Sequence, residues 1–110
     1  MANTFLRKLS QNIGTTPTAV GSYTVGAGTS TTVIGLTCAN TTTTAITVDV
    51  VHNNGATDTY IVKGATVPSG GSLVVVGGDQ KVVMEPGDKI TVISDTANSA
   101  DCVLSHLDIT

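Results

Sequence analysis

Three short apolar runs constrain the fold of this chain more than any other feature, and they lie in residues 67–93, VPSGGSLVVVGGDQKVVMEPGDKITVI. The runs 73–76, 81–84 and 89–93 are rich in β-branched residues and too short to be helices. Turn-forming Ser-Gly-Gly, Gly-Gly-Asp-Gln and Glu-Pro-Gly-Asp bound them. Short β-branched runs between turn residues are typical of strands, so this stretch predicts three of them.

The rest of the body continues the same pattern. Alternating or β-branched segments predict further strands at residues 18–25, 31–39, 44–52, 57–63 and 100–109. Asn53-Asn54-Gly55 predicts a hairpin turn, because Asn and Gly accept the positive φ that a tight turn requires. Gly64 predicts a bulge or bend, and Pro86-Gly87 predicts a turn.

About eight strands, spaced roughly ten residues apart with turns between them, indicate an all-β fold. We therefore expect residues 15–110 to form one antiparallel β-sandwich, either immunoglobulin-like or a jelly roll. A chain of 110 residues is long enough for one such domain and its core.

Residues 1–14 have a different pattern. Phe5, Leu9 and Ile13 recur at i, i+4 and i+8, with Leu6 beside them, which predicts a short amphipathic helix. Two roles are open for it: a terminal helix folded onto its own domain, or an arm that docks onto another subunit.

Composition excludes several functional classes. Charged residues make up 12% of the chain and the net charge is −3, with no basic stripe and no interleaved aromatic residues, so binding of nucleic acid is not expected. No segment has the length of a membrane span, and the start lacks the apolar core of a signal peptide. These features predict a protein that stays in the cytoplasm or is released by lysis.

Cys38 and Cys102 lack metal-ligand spacing. In a reducing compartment the default is two buried thiols that act as small hydrophobic groups. A disulfide would require their strands to be neighbours, which leaves that alternative open.

No catalytic, cofactor-binding or metal-binding residue is predicted. His52 and His106 have no Cys or carboxylate at ligand spacing, and the carboxylates of the last third fit a solvated loop rim better than a calcium site. No serine stands in a nucleophile elbow, so we do not expect an enzyme. A glycan-binding module is a weaker alternative, since Phe5, Tyr23 and Tyr60 are the only aromatic residues.

Two blocks of the sequence carry a resemblance: MANTFLRKLSQNIGTTPTAV at the start, and VPSGGSLVVVGGDQKVVMEPGDKITVIS with the terminal SHLDIT. Between them lies TTVIGLTCANTTTTAITVDV. Together these resemble the small virion structural proteins of tailed phages, especially marine and cyanobacterial ones. The resemblance implies a non-enzymatic β-sandwich subunit that decorates or cements the capsid. The alternative is a neck, tail or fibre-attachment component of the same virion.

The resemblance also implies partners and a location. The partners would be the major capsid protein or other virion proteins, together with copies of this chain in a trimer or dimer, but no nucleic acid and no membrane. The location would be the virion, assembled in the host cytoplasm, with no cofactor. In this hypothesis residues 2–14 form a docking arm, whose apolar contacts are Phe5, Leu6, Leu9 and Ile13.

Overall fold

The expected all-β sandwich is confirmed by the structure, a computed structural model that describes residues 3–77 and 80–110. A 3-10 turn covers Val20–Ser22, and no helix among the described residues has the length and hydropathy needed to cross a membrane. The strands are β1 Asn3–Ile13, β2 Thr18–Ala19, β3 Ser30–Asn40, β4 Ile46–Asn53, β5 Asp58–Val67, β6 Ser72–Val76, β7 Val82–Met84, β8 Lys89–Ser94 and β9 Ala100–Ile109. The predicted Gly-Gly-Asp-Gln turn lies partly outside the described residues.

Two antiparallel sheets form the sandwich. One has the order β1-β9-β3-β6, with β7 also paired to β3, and the other has the order β2-β8-β4-β5. Strands β6 and β7 pair with different ends of β3, so they occupy one position in the sheet. Four positions in each sheet, filled in this order, are the arrangement of a jelly roll. Of the two sandwich types left open by the sequence, the topology is therefore that of the jelly roll.

The core lies between the sheets and is almost entirely aliphatic. Strand β9 illustrates why: Cys102, Leu104 and His106 are buried, while Val103 on the opposite face is half exposed. The same period of two runs through the other strands, so each contributes one face to the interior. The largest fully buried side chains include Ile13, Leu36, Ile46, Met84, Ile90 and Leu104.

The predicted N-terminal helix is wrong, because residues 3–13 form strand β1 and pair along most of their length with β9. A spacing of four residues explains the error: it fits one face of a helix and equally one face of a strand, whose period is two. The division at residue 14 also does not describe the fold, since β1 is the edge strand of the sandwich itself.

Two further expectations are corrected by irregularities of the backbone. The predicted strand at residues 18–25 is only two residues long, because the chain turns at Val20–Ser22. In β3, the pairing with β9 shifts between Val33 and Gly35, so Val33 and Leu36 are both buried. Such a bulge breaks the strict alternation that the sequence predicts for this strand.

The predicted turns are confirmed. Strands β4 and β5 form a hairpin across residues 54–57, and the side-chain amide oxygen of Asn54 accepts the backbone N–H of Thr57 at 2.8 Å. Gly64 has a positive φ of 64° at a register shift, and its N–H donates to Asp49 at 2.6 Å. The Glu85–Asp88 turn closes with a backbone hydrogen bond of 3.0 Å.

Gly21 is required where the 3-10 turn crosses under β1. Its φ is 64°, and a Cβ built there would collide with the Cβ of Lys8. The Gly21 N–H also donates to the Ser10 hydroxyl at 2.7 Å, which holds the turn against the inner side of β1. The 3-10 turn can therefore pack against β1 only because residue 21 is a glycine.

We predict that Gly21→Ala lowers the free energy of unfolding by about 2–4 kcal/mol, measured by urea denaturation, because it adds overpacking to an unfavourable φ. Gly28→Ala is the matched control, since Gly28 has a φ of 77° but open space around it. The control should lose only the conformational part, about 1–2 kcal/mol. Equal losses in the two variants would contradict the role of the Lys8 contact.

Candidate interaction surface

We call the outward side of the five-stranded sheet the outer face. It carries two rows of mainly apolar residues. The first row crosses four strands: Phe5 of β1 pairs with Leu107 of β9, and Leu107 pairs with Thr32 of β3. Thr32 pairs on its other side with Val83 of β7. The second row runs in the same order through Leu9, Val103, Thr37 and Val74 of β6.

The exposure of these side chains is high for apolar residues. Phe5 is 75% exposed, Val74 and Val83 are 64% exposed, and Leu9 and Val103 are about half exposed. Seven large hydrophobic residues are exposed among the described residues, and five of them lie on the outer face. A concentration of exposed large hydrophobic residues on one side of a sheet is a feature of interaction sites.

The outer face has few charges, and they are of opposite sign. Arg7 lies between the two apolar rows, opposite Ser105 of β9. Asp101 lies beyond the second row, where its carboxylate accepts the backbone N–H of Asn12 at 3.0 Å. The charge of the face is thus balanced although the chain as a whole is negative.

The structure separates the four residues predicted as arm contacts. Phe5 and Leu9 lie on the outer face, but Leu6 faces the opposite way, toward its partner His106. Ile13 is buried in the core, because the register shift after Ser10 turns it inward to pair with Ala100. The arm sequence therefore contributes two residues to the outer face instead of a continuous stripe.

Four other members of the outer face were not predicted. Val74 and Val83 belong to runs of consecutive valines, which indicate strands buried on both sides and give no signal of exposure. Alternation in β9 did place Val103 and Leu107 on one side of that strand. Which side faces solvent depends on the neighbouring strands, which are distant in sequence.

A buried polar cluster lies on the inner side of the same sheet. Asp108 accepts hydrogen bonds from Tyr23 at 2.9 Å, from Thr31 at 2.8 Å and from Nδ1 of His106 at 2.8 Å. The Tyr23 ring stacks on the His106 ring at 4.6 Å between centroids, and the Lys8 ammonium lies 5.1 Å from the Tyr23 ring. Nε2 of His106 is buried without a hydrogen-bond partner among the described residues.

The second histidine is also held by a carboxylate. Nε2 of His52 lies 2.8 Å from Asp88, whose side chain also accepts the Glu85 N–H at 3.1 Å. Asp88 is only 9% exposed, so it is not part of the solvated rim that the sequence predicted for it. No group of three metal-ligating side chains and no pocket is found among the described residues.

The expectation of two buried thiols is confirmed. Cys38 and Cys102 are free and fully buried. They are direct partners across β3 and β9, and their sulfur atoms are 3.0 Å apart.

The buried cluster makes the stability of the fold dependent on pH. Burial alone raises the pKa of the Asp108 carboxyl, but the hydrogen bonds from Thr31, Tyr23 and His106 outweigh it and hold the pKa below its ordinary value. A carboxyl whose pKa is depressed by folding stabilises the protein above its unfolded pKa of about 3.9. That contribution is lost as the pH falls through the lower pKa of the folded state.

We predict that Asp108→Asn loses about 1–3 kcal/mol of stability at pH 7, because charge-assisted hydrogen bonds are weakened. It should also lose less additional stability than the wild type between pH 5 and pH 2, measured by urea unfolding at each pH. Tyr23→Phe removes one hydrogen-bond donor to Asp108, so its loss of stability over this pH range should be intermediate between the two. If Asp108→Asn lost as much stability as the wild type between pH 5 and pH 2, Asp108 would not be the source of the pH dependence.

The comparisons with known proteins support the fold. No protein-family model matches this sequence, and no curated protein matches it. Several solved structures do match; one is a chain from the work titled "Bacillus endospore appendages form a novel family of disulfide-linked pili". The match has a TM-score of 0.53 and 16% sequence identity, and it covers all of this chain and 91% of that chain. At this identity the similarity is one of fold, a two-sheet β-sandwich shared along the whole chain.

Proposed function

We propose that this chain is a non-enzymatic structural protein that assembles with copies of itself through the outer face. The observation that carries the proposal is the concentration there of five exposed hydrophobic side chains. Burying such a patch removes apolar area from water at about 25 cal/mol per Å², which is the main driving force for association. The chain that shares its fold belongs to an assembled pilus, which is consistent with a structural role.

A second copy of this chain fits the outer face better than a charged partner does. Arg7 and Asp101 lie beside the second apolar row with opposite signs, and Lys81 and Glu85, also of opposite sign, flank Val83 in the sequence. Two identical faces therefore carry no net charge that would repel, and a strongly charged partner would find no concentration of opposite charge, whereas apolar side chains of one copy can pack against those of another. Self-association is the arrangement that this composition favours.

The positions of the two charges suit a two-fold contact. Residues 101 and 105 of β9 flank the second apolar row, which contains Val103. A two-fold axis lying along that row, between two facing sheets, brings the Arg7 row of one copy over the Asp101 row of the other. Arg7 is on β1 and Asp101 on the neighbouring β9, so the lateral offset is about 4.8 Å. Such a contact is isologous, and each copy supplies the same patch.

The size of the sheet is sufficient for a stable contact. The molecule measures 45 × 27 × 21 Å, so its broad face offers roughly 1,200 Å² in projection, compared with about 800 Å² per partner in a standard interface. Asp101 lies beyond the second apolar row, as charges at the rim of an interface do, whereas Arg7 lies between the rows and would need a partner when buried.

We further propose, from the sequence resemblance, that the assembled protein belongs to the virion of a tailed phage. Capsid decoration or cementing, with the major capsid protein as the second partner, is the first candidate. A neck, tail or fibre-attachment part is the second. A small sandwich with an apolar face and few charges is suited to either role, because both require packing among many protein neighbours.

We predict that Val103→Lys abolishes self-association, because it places a charge at the centre of the buried patch. Sedimentation velocity over a range of concentrations should show the wild type forming a dimer or larger assembly and the variant remaining a monomer. Tyr60→Lys is the matched control, since Tyr60 is 46% exposed on β5 of the other sheet. The control should associate like the wild type.

A charge exchange tests the two-fold geometry separately. Arg7→Asp and Asp101→Arg should each weaken association, and the double variant should restore it, because the pair is reformed across the axis. Failure of the double variant to recover would contradict this geometry. Monomeric wild-type protein at high concentration would contradict self-association altogether.

The virion role predicts that gold-labelled antibody against this protein binds particles of its phage in electron micrographs. Label spread over the head supports decoration, and label at one vertex or on the tail supports the neck or tail candidate. Particles that lack the protein both by labelling and by mass spectrometry would contradict the virion role. Self-association would be unaffected by that result, so the two proposals fail independently.

A further inference from the structure

The two cysteines of the chain meet at the centre of the five-stranded sheet. Cys38 of β3 and Cys102 of β9 are direct partners in the antiparallel register, and their Sγ atoms lie 3.0 Å apart. Opposed residues in an antiparallel pair have Cα atoms about 4.5–5.5 Å apart, within the range of disulfides. Closing the bond to about 2.05 Å requires a movement of only about 1 Å.

We propose that Cys38 and Cys102 form an intramolecular disulfide that joins β3 to β9 when the protein meets a small disulfide oxidant such as oxidised glutathione. The proposal does not depend on self-association or on the virion role. It is also distinct from linkage between subunits, because both side chains are fully buried and neither reaches the surface.

The chemistry is two successive thiol–disulfide exchanges. The Cys38 thiol loses its proton, and the thiolate attacks one sulfur of oxidised glutathione. That S–S bond breaks and the first glutathione leaves as a thiolate that takes up a proton. The Cys102 thiolate then attacks the Cys38 sulfur of the mixed disulfide and expels the second glutathione. Two protein thiols are thus oxidised by two electrons, and one glutathione disulfide is reduced to two thiols.

Cys38 is the better first nucleophile of the pair. The hydrogen bond from the Cys102 thiol lowers the pKa of Cys38, while that same contact and burial raise the pKa of Cys102. The thiolate is the reactive form, so attack begins at Cys38 and the bond is completed by Cys102. Because both sulfurs are buried, the first exchange takes place during folding or in a transiently opened sheet.

The disulfide has a large expected effect on stability, because the two residues are 64 positions apart in sequence. Closing a long loop removes more conformational freedom from the unfolded chain than closing a short one. The oxidised protein should therefore have a Tm higher than that of the reduced protein by roughly 10 °C or more.

The experiment refolds the full chain in a glutathione redox buffer, blocks free thiols with iodoacetamide in a denaturing concentration of urea, which exposes buried thiols, and digests the unreduced product with trypsin. Cleavage after Lys8, Lys63 and Lys89 places Cys38 in residues 9–63 and Cys102 in residues 90–110. We expect these two peptides to be joined in one mass, in a protein that is monomeric on a non-reducing denaturing gel. A parallel sample of folded protein, held with oxidised glutathione in urea below the unfolding midpoint, should give the same product.

Cys102→Ala is the control variant, since it leaves Cys38 without a partner. Its Tm should be the same in oxidising and reducing buffer, whereas the wild-type Tm should differ. Both thiols alkylated in both wild-type samples would overturn the proposal, as would disulfide-linked dimers as the main product. A joined peptide with no rise in Tm would overturn its stabilising role.

Discussion

The structure depends on the pairing of β9 with strands on both of its sides. Strand β9 bonds to β1 along one edge and to β3 along the other over nearly its whole length. A strand satisfied on both sides leaves few backbone groups unpaired, so its side chains are held in fixed positions. Its inner face supplies Cys102 and His106 to the core, and its outer face supplies Val103 and Leu107 to the apolar rows. The buried cluster, the thiol pair and the outer face are therefore all parts of one sheet.

The few aromatic residues of the chain do not fill its core, and the largest apolar one lies on the outer face. The chain has three aromatic side chains, and none of them fills the centre of the core. Phe5, the most hydrophobic, is 75% exposed. The interior is instead built from Val, Ile, Leu, Met and Cys, which suffices for a sandwich of this size. The largest apolar side chain is thus left exposed on the outer face.

Local signals predicted the strands and the turns, while long-range pairing decided what the sequence left open. Asn53-Asn54-Gly55, Gly64 and Pro86-Gly87 each require a particular backbone geometry, so their turns and bulge followed from residue type alone. The spacing of Phe5, Leu9 and Ile13 fits two periods, and only the available edge of β9 selects the strand. The outer face joins residues from β1, β6, β7 and β9, which no local pattern connects. Bulges in β1 and β3 then decide that Ile13 and Val33 are buried.

Lys8 lies on β1, the edge strand of the five-stranded sheet. It points inward from the free edge of the sheet, where its side chain packs against Gly21 and its ammonium lies near Tyr23. An inward-pointing charge on an edge strand discourages another strand from adding there, which protects against open-ended growth. In the proposed two-fold contact, association through the outer face would be closed, because each copy supplies the same patch. A larger assembly would then grow through the loops or the second sheet, with the pair as its repeating unit.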